Sequence, residues 1–406
     1  GRKGPVLVDI PKDITEQFCE YHPQPLKIKK QTQPVQPQSL KNAVSLLETS
    51  QRPLLYTGGG VISSAGANKA VAAFAEQFDL PVTSSLMGQG SFDQYHPRYL
   101  GMLGMHGTKA AALASRECDL LIAVGIRFSD RVTLKHKQFA PNAKILHLDI
   151  DPAEINKNIA VSSILIGDAA QSITALCENG KPCRHTDWMK QVSDWKSEFP
   201  LEQHPIHPGD VTPKEILETL CELTNGEAII TTEVGQNQMW SAMFYSFRFP
   251  RQFLTSGGLG TMGFGLGAAI GAKIARPEKT VINIAGDGSF QMNCNELVTL
   301  AKYEIPVIEL VFNNQVLGMV RQWQRLFYGE RYSQTTLDRP IDYLKLAEAY
   351  GIRGYRIVHP EDVRPILTDA LASGKPALIE AVIDRDLNAL PMVPTGNPID
   401  NPILSI

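Results

Sequence analysis

Residues 286–314 constrain this chain more than any other stretch. An apolar run at 280–285 is followed at once by Gly286, Asp287, Gly288 and Ser289, and a second apolar run at 306–312 ends at Asn313 and Asn314. Short apolar runs of this kind read as buried strands of a parallel sheet. Two adjacent parallel strands deliver the aspartate and the asparagine to one edge, the edge at which open α/β sheets bind ligands. One carboxylate with amide and carbonyl oxygens suits Mg2+, a hard ion that completes its shell with phosphate and water. The glycines let the backbone approach a diphosphate closely. Alone, Gly-Asp-Gly is a common turn and Asn-Asn a common strand stop. With 24 residues between Gly288 and Asn313 in a β-α-β frame, the pair is far more specific.

The bulk of the chain narrows the class. Its 406 residues give room for two or three domains with substantial cores. Lysine and arginine number 39 against 42 acidic residues, a net charge of −3 with no basic block, which argues against nucleic acid or an anionic membrane as partner. No apolar run approaches the roughly 20 residues of a bilayer span. The N-terminus has no signal-peptide pattern, so the location expected is cytoplasmic. Six scattered cysteines without a C-x-x-C pair are expected to be reduced thiols, and no structural zinc site is expected.

From the start, residues 6–10 have the composition of a buried strand. A lone strand needs a sheet to join. Residues 1–20 therefore read as the last strand of an N-terminal domain that this sequence lacks, or as an edge strand added to the next domain. Residues 21–38, rich in proline, glutamine and lysine, read as a linker. Residues 39–180 read as a complete domain with helices at 39–49 and 67–78 and strands at 53–57, 81–84, 119–125, 144–150 and 163–166, an alternation that predicts a doubly wound parallel sheet. Its strand ends carry Gly58, Gly59, Gly60, Gly125, Asp149, Asp151, Gly167 and Asp168. Such glycines admit a pyrophosphate and such acids accept from ribose hydroxyls, although acids there also cap helices. There is no Gly-x-Gly-x-x-Gly, so an ordinary dehydrogenase site is not supported.

Residues 181–209 read as a second linker, its proline-rich part running from 200 to 213, with His204 and His207 solvated. Residues 210–406 read as a second α/β domain. A helix starts at Pro213 with Thr212 as its cap, and a strand at 227–232 leads into residues 233–240. The glycine-rich stretch 257–271 opens a small-residue helix whose glycines imply close packing or a nearby ligand. Beyond Asn314, Met319, Val320 and Trp323 share one helical face. Residues 389–406 read as an irregular tail with the character of a lid.

The Gly-Asp-Gly to Asn-Asn pairing resembles the thiamine-diphosphate motif, and the resemblance extends over essentially the whole chain. Residues 4–13 (GPVLVDIPKD), 102–107 (MLGMHG), 125–133 (GIRFSDRVT), 234–240 and 313–328 (NNQVLGMVRQWQRLFY) are similar to the catalytic subunits of the acetohydroxyacid (acetolactate) synthase family, the FAD-containing biosynthetic type. The fold this implies is α/β, two doubly wound parallel-sheet domains, one for FAD and one for thiamine diphosphate. The resemblance implies that Asp287 and Asn314 bind Mg2+ through their side chains and Val316 through its carbonyl. Val234, Gly235, Gln236, Asn237, Gly286, Gly288 and Ser289 would hold the diphosphate, Asn237 standing where the family usually has histidine. Gly260 and Met262 would face the aminopyrimidine. Arg2, Gly58, Gly59, Gly60, Met105, His106, Gly125, Arg127, Asp130, Asp149, Ile150, Gly167 and Asp168 match FAD-contacting positions. Arg131 matches the residue that receives the acceptor carboxylate, Trp323 the one that favours 2-ketobutyrate, and Lys12, Met319 and Val320 an access channel.

The activity so implied is a carboligation in branched-chain amino acid biosynthesis. Pyruvate loses CO2 and its two-carbon unit joins a second 2-ketoacid, giving 2-acetolactate or 2-aceto-2-hydroxybutyrate. A homodimer or homotetramer with an interfacial site, and a small regulatory subunit, belong to the same picture. By the resemblance, the glutamate that protonates the cofactor's pyrimidine lies in the N-terminal domain, so these 406 residues alone are expected to be inactive or nearly so. The alternatives are another FAD- and thiamine-diphosphate-dependent enzyme, such as glyoxylate carboligase or pyruvate oxidase, and a non-catalytic cofactor-binding fragment.

Overall fold

Two six-stranded sheets, parallel at every strand pairing, carry the fold. The computed structural model of the chain describes residues 1–23, 34–338 and 341–405. The first sheet holds β1 (Pro53–Thr57), β2 (Val82–Ser84), β3 (Tyr99–Met102), β4 (Leu120–Val124), β5 (Lys144–Asp149) and β6 (Ser163–Ile166) in the order β3-β2-β1-β4-β5-β6. The second holds β7 (Ile229–Thr232), β8 (Phe253–Thr255), β9 (Val281–Gly286), β10 (Val307–Asn313), β11 (Arg353–Ile357) and β12 (Ala377–Val382) in the order β11-β12-β10-β9-β7-β8. Strand order reverses at β1/β4 in one sheet and at β7/β9 in the other, and at such points a crevice opens beyond the carboxyl ends.

Alternate residues of a strand face opposite sides, and both sides here are covered. Leu55, Ile122, Leu146 and Leu148 pack with the helices Pro37–Thr49, Ala67–Gln77 and Ala169–Asn179, while Leu54, Tyr56, Leu121 and Ile145 pack towards Lys109–Glu117 and Thr186–Glu198. In the second sheet Ile230, Ile282, Leu310 and Ile379 meet Pro213–Leu223, Gln236–Phe244 and Pro360–Ser373. Val281, Val307, Val311 and Leu378 meet Gly265–Ala275 and Tyr343–Tyr350. Apolar strands buried on both faces lack the two-residue alternation of a half-exposed sheet, which is why they read as continuous apolar runs. Thr212 caps its helix as expected, its side chain accepting from the Glu215 N–H.

Four segments add to or differ from these expectations. Residues 6–10 form no strand and stand exposed, paired with neither sheet; a short helix, Lys12–Thr15, follows. Of the linker expected at 21–38, residues 24–33 lie outside the described residues, and the helix Pro37–Thr49 begins inside its end. The linker expected at 181–209 contains the helix Thr186–Glu198, which buries Trp188 and Val192 and donates from Trp188 Nε1 to the Pro53 carbonyl at 2.8 Å. The tail is irregular but docked. Ala389, Met392, Val393 and Ile399 are buried, Val393 N–H donates to the Met105 carbonyl at 2.7 Å, and Lys109 Nζ donates to the Asp400 carbonyl. No helix is long and apolar enough to cross a membrane among the described residues.

Candidate functional site

The β7/β9 switch point gathers most of the residues singled out in the second domain. Gly286 ends β9, and Asp287 to Phe290 form a single helical turn after it. Gly288 N–H donates to Asp287 Oδ1 at 2.9 Å, and Ser289 Oγ accepts from Gly286 N–H at 3.3 Å. At the end of β10, Asn314 Oδ1 accepts from Val316 N–H at 3.2 Å, a tight turn in which Gln315 takes a left-handed φ of 56°. The Gln315 backbone also hydrogen-bonds the Asp287 carboxylate, so the two halves of the motif meet.

Asp287 is buried and forms no ion pair with a basic side chain among the described residues. Burial pushes its pKa up to about 7, against the pull of its backbone hydrogen bonds, and Glu380 adds to the rise. A buried carboxylate in this state, next to amide and carbonyl oxygens, is a donor set that a hard divalent cation would relieve.

Beside it, Gly235 (φ 146°) turns the chain into the helix Gln236–Phe244. The side chains of this first turn are already engaged. Gln236 Nε2 donates to Gln322 Oε1 and to the Leu387 carbonyl, both at 2.9 Å, and its Oε1 accepts from Asn314 Nδ2 at 3.5 Å. Asn237 Nδ2 donates to the Ile284 carbonyl at 2.9 Å. What the turn offers an anion is therefore its backbone N–H groups, the usual donors at a helix start. The cradle is shaped by glycine: a Cβ on Gly318 would collide with Gln236 Oε1, and one on Gly288 would lie 2.6 Å from Leu317. These features fit a metal-bound diphosphate.

Gly260 (φ 66°) and Met262 sit on the loop before Gly265–Ala275, and Gly260 approaches Val234. Trp323 packs with the first-domain cluster that contains Met105 and Val132, while Met319 packs into the second-domain core and Val320 is half exposed. Arg131 is exposed and its carbonyl accepts from Met105 N–H at 2.8 Å, which puts it at the same junction between sheets. Lys12 is not brought there by any hydrogen bond or ion pair among the described residues; it stands exposed on its short helix.

A family profile described as the thiamine pyrophosphate enzyme C-terminal TPP binding domain matches residues 233–381, and one described as the thiamine pyrophosphate enzyme central domain matches residues 40–176. A probable acetolactate synthase large subunit of Methanocaldococcus jannaschii is 46% identical over 99% of this chain and 70% of its own length. The acetolactate synthase isozyme 2 large subunit of Escherichia coli is 45% identical over 98% of this chain and 71% of its own length. The chain belongs to the acetolactate synthase large-subunit family. A Haemophilus influenzae acetolactate synthase large subunit, 40% identical, is covered to 72% of its length.

In this family member the first sheet also presents its singled-out residues at one edge. Gly58, Gly59 and Gly60 follow β1, Met105 and His106 follow β3, and Gly125, Arg127 and Asp130 follow β4; Asp149 and Ile150 lie at the end of β5, and Gly167 and Asp168 follow β6. Two of the glycine positions are explained by packing: a Cβ on Gly58 or Gly60 would strike the Gly125 backbone. Asp168 caps the helix Ala169–Asn179, yet the donors Ala170 N–H, Gln171 N–H and Ser64 Oγ all fall on Oδ1. Asp149 Oδ1 accepts from Asp151 N–H at 2.9 Å, and burial raises its pKa. Arg2 reaches this edge from an otherwise exposed segment, donating to Glu154 Oε1 at 2.7 Å with Asp151 Oδ2 3.8 Å away. His106 is buried with Nδ1 3.2 Å from the Pro391 carbonyl, and burial lowers its pKa to about 4, so it is neutral at pH 7. Carboxylates beside a glycine-lined crevice fit an adenosine-bearing cofactor.

Three groups escaped the sequence reading. Glu233, just past β7, is buried and bonded to backbone across the crevice. Its signal was an acid directly after an apolar strand, the same pattern that exposed Asp287. Glu309, Asn283 and Thr231 form a buried polar row across β10, β9 and β7, Asn283 Nδ2 donating to both Glu309 oxygens at 2.9 Å and Thr231 Oγ1 donating to Asn283 Oδ1 at 2.8 Å. Only pairing register aligns them. His207, read as solvated, is exposed but meets Asp210 and Asp384 with ligand atoms within 4.8 Å, on the rim of a cavity of about 460 Å3 beyond β10 and β12.

Proposed function

We infer that this chain is the catalytic subunit of an acetolactate synthase, a thiamine-diphosphate-dependent carboligase of branched-chain amino acid biosynthesis. Its substrates in this reading are pyruvate as donor and pyruvate or 2-ketobutyrate as acceptor. When bound, thiamine diphosphate supplies the nucleophilic carbon and the electron sink for decarboxylating a 2-ketoacid. Asp287, Asn314 and the Val316 carbonyl would hold Mg2+, and residues 234–237 with Gly286, Gly288 and Ser289 would hold the diphosphate. Gly260 and Met262 orient the pyrimidine. Arg131 offers the acceptor carboxylate a permanent cation with a planar hydrogen-bonding fork, and Trp323 walls the acceptor pocket with apolar area that rewards the larger ketoacid. Met319 and Val320 would line the approach. The edge of the first sheet from Gly58 to Asp168, with Arg2 beside it, would hold FAD.

A homo-oligomer belongs to this reading, supported by exposed apolar residues beside the site: Leu259 is 95% exposed and Met292 58%. The named relatives are large subunits, and a small partner subunit is inferred with them. The observation that carries the proposal is the meeting of Asp287 with the Asn314 turn at a parallel-sheet switch point. The test is acetolactate formation from pyruvate with thiamine diphosphate, Mg2+ and FAD, using the chain alone and fused behind the N-terminal portion of a relative. Turnover by the fusion, lost on omission of Mg2+, is expected; a well-folded fusion that binds none of the three cofactors would overturn the reading.

A further inference from the structure

Glu233 stands between the two segments assigned to opposite ends of the cofactor. It follows β7 and immediately precedes the turn at 234–237, so its backbone belongs to the diphosphate side. Its side chain crosses to the other side. Oε2 accepts from Gly263 N–H at 2.6 Å, and Oε1 accepts from Gly265 N–H at 2.7 Å and Leu266 N–H at 3.4 Å. These amides open the eleven-residue helix Gly265–Ala275, whose first N–H groups have no intrahelical acceptor. Gly263 comes directly after Met262, so the first clamped amide is one peptide away from the residue assigned to the pyrimidine.

The approach depends on glycine. At Gly265 a Cβ would lie 2.8 Å from Glu233 N and would collide with Asn283 Oδ1, the middle member of the buried polar row. Gly263 has φ 86°, and its carbonyl accepts from Asn293 Nδ2 at 3.2 Å. The loop is closed from its other end as well: Gly260 N–H donates to the Ser256 carbonyl at 3.1 Å and Thr261 N–H to Ser256 Oγ at 3.0 Å. Met262 therefore projects from a short arch whose two feet are pinned, one of them by Glu233.

We propose that Glu233 is a positioning residue that fixes the reach between the diphosphate turn and the Met262 arch, and so sets the conformation in which this chain accepts thiamine diphosphate. The inference rests on the cofactor assignment above. A carboxylate suits the task because it presents two acceptors to divergent N–H groups, and charged acceptors at a helix start are favoured by the helix dipole. Glutamine replaces one acceptor with a donor facing an N–H group, so Glu233→Gln releases part of the arch without changing side-chain size.

The experiment has two arms. Hydrogen exchange of the unmutated chain and of Glu233→Gln is followed at the amides of 263–266, with β9 as internal reference. Protection in the unmutated chain and exchange about tenfold faster in the variant, with β9 unchanged, is expected from the loss of a charge-assisted hydrogen bond. Unprotected amides at 263 and 265 in the unmutated chain would sink the proposal even if the variant failed to fold. In the second arm, binding of thiamine diphosphate with Mg2+ is compared with binding of pyrophosphate with Mg2+. Weakening of about tenfold for thiamine diphosphate with pyrophosphate unaffected is expected, and the effect should not add to that of Met262→Ala, because the two act through one arch. Equal weakening of both ligands means that Glu233 only supports the fold. If the unmutated chain, fused behind the N-terminal portion of a relative, bound pyrophosphate but not thiamine diphosphate, the cofactor assignment would fail, while hydrogen exchange would still decide whether the clamp exists.

Discussion

The two asparagines of the opening motif are neighbours with different work. Asn313 Nδ2 donates to Glu380 Oε1 at 2.6 Å, and Arg356 donates to the other carboxylate oxygen at 2.6 Å, so Asn313 helps satisfy a buried acid on β12. Asn314 Nδ2 donates to Gln236 Oε1 at 3.5 Å, and the Gln315 backbone next to it bonds the Asp287 carboxylate. Asn313→Ala is expected to cost about 1–3 kcal/mol of stability, the usual penalty for stranding a buried polar partner, with Mg2+ dependence intact. Asn314→Ala should do the reverse, weakening Mg2+ binding by about tenfold or more, since loss of a ligand's outer partner alone costs that much. Urea unfolding and Mg2+ titration of the two variants check the pair. Glu309 gives a pH prediction. Burial raises its folded pKa well above the carboxylate range. Above the ordinary glutamate pKa of about 4.3 the unfolded chain loses this proton while the folded chain keeps it. Stability therefore falls as pH rises from there towards the folded pKa. Glu309→Gln should be more stable than the unmutated chain at pH 8, with the gap closing towards pH 4; unfolding midpoints at both pH values test this.

Helices and strands were not equally legible. β1, β4, β5, β9 and β10 were visible because each is a run of aliphatic residues buried on both faces. β11 (RGYRI), largely open to solvent, and the three-residue β8 carry too little apolar signal, and only their neighbours in the sheet make them strands. The helix Thr186–Glu198 was hidden by its polar composition. Its apolar residues Trp188, Val192 and Trp195 recur at helical spacing, and Trp188 meets Trp195 edge-on with rings 5.8 Å apart. Trp188→Ala should cost about 3–5 kcal/mol, and Thr212→Ala, which removes a helix cap, about 1 kcal/mol. Thermal unfolding distinguishes these magnitudes, and near-equal losses would mean that the 186–198 helix contributes no core.

Across the whole molecule, the two sheets are joined by the helix Gly318–Phe327 and the segment 389–405. Trp323 and Leu326 pack on the first-domain core, Gln322 and Ala389 exchange hydrogen bonds, and Pro391 and Val393 bond to His106 and Met105. Removing residues 389–405 should split a joined thermal transition into two, one for each sheet, visible by calorimetry. The acceptor pocket assigned to Arg131 and Trp323 lies at this junction, so the truncation should also relax any preference between acceptors. The sequence by itself determined the two parallel sheets and the strand ends that carry the candidate site residues, because strand burial and strand-end chemistry are local patterns of a few residues. It also determined the family, through runs such as 313–328. The tertiary structure alone decided that Glu233 reaches the amides of Gly263 and Gly265, that Glu309 lies in register with Asn283, and that the tail is docked. Those contacts join residues tens to hundreds of positions apart, and no local pattern carries the pairing register and close backbone approach that create them.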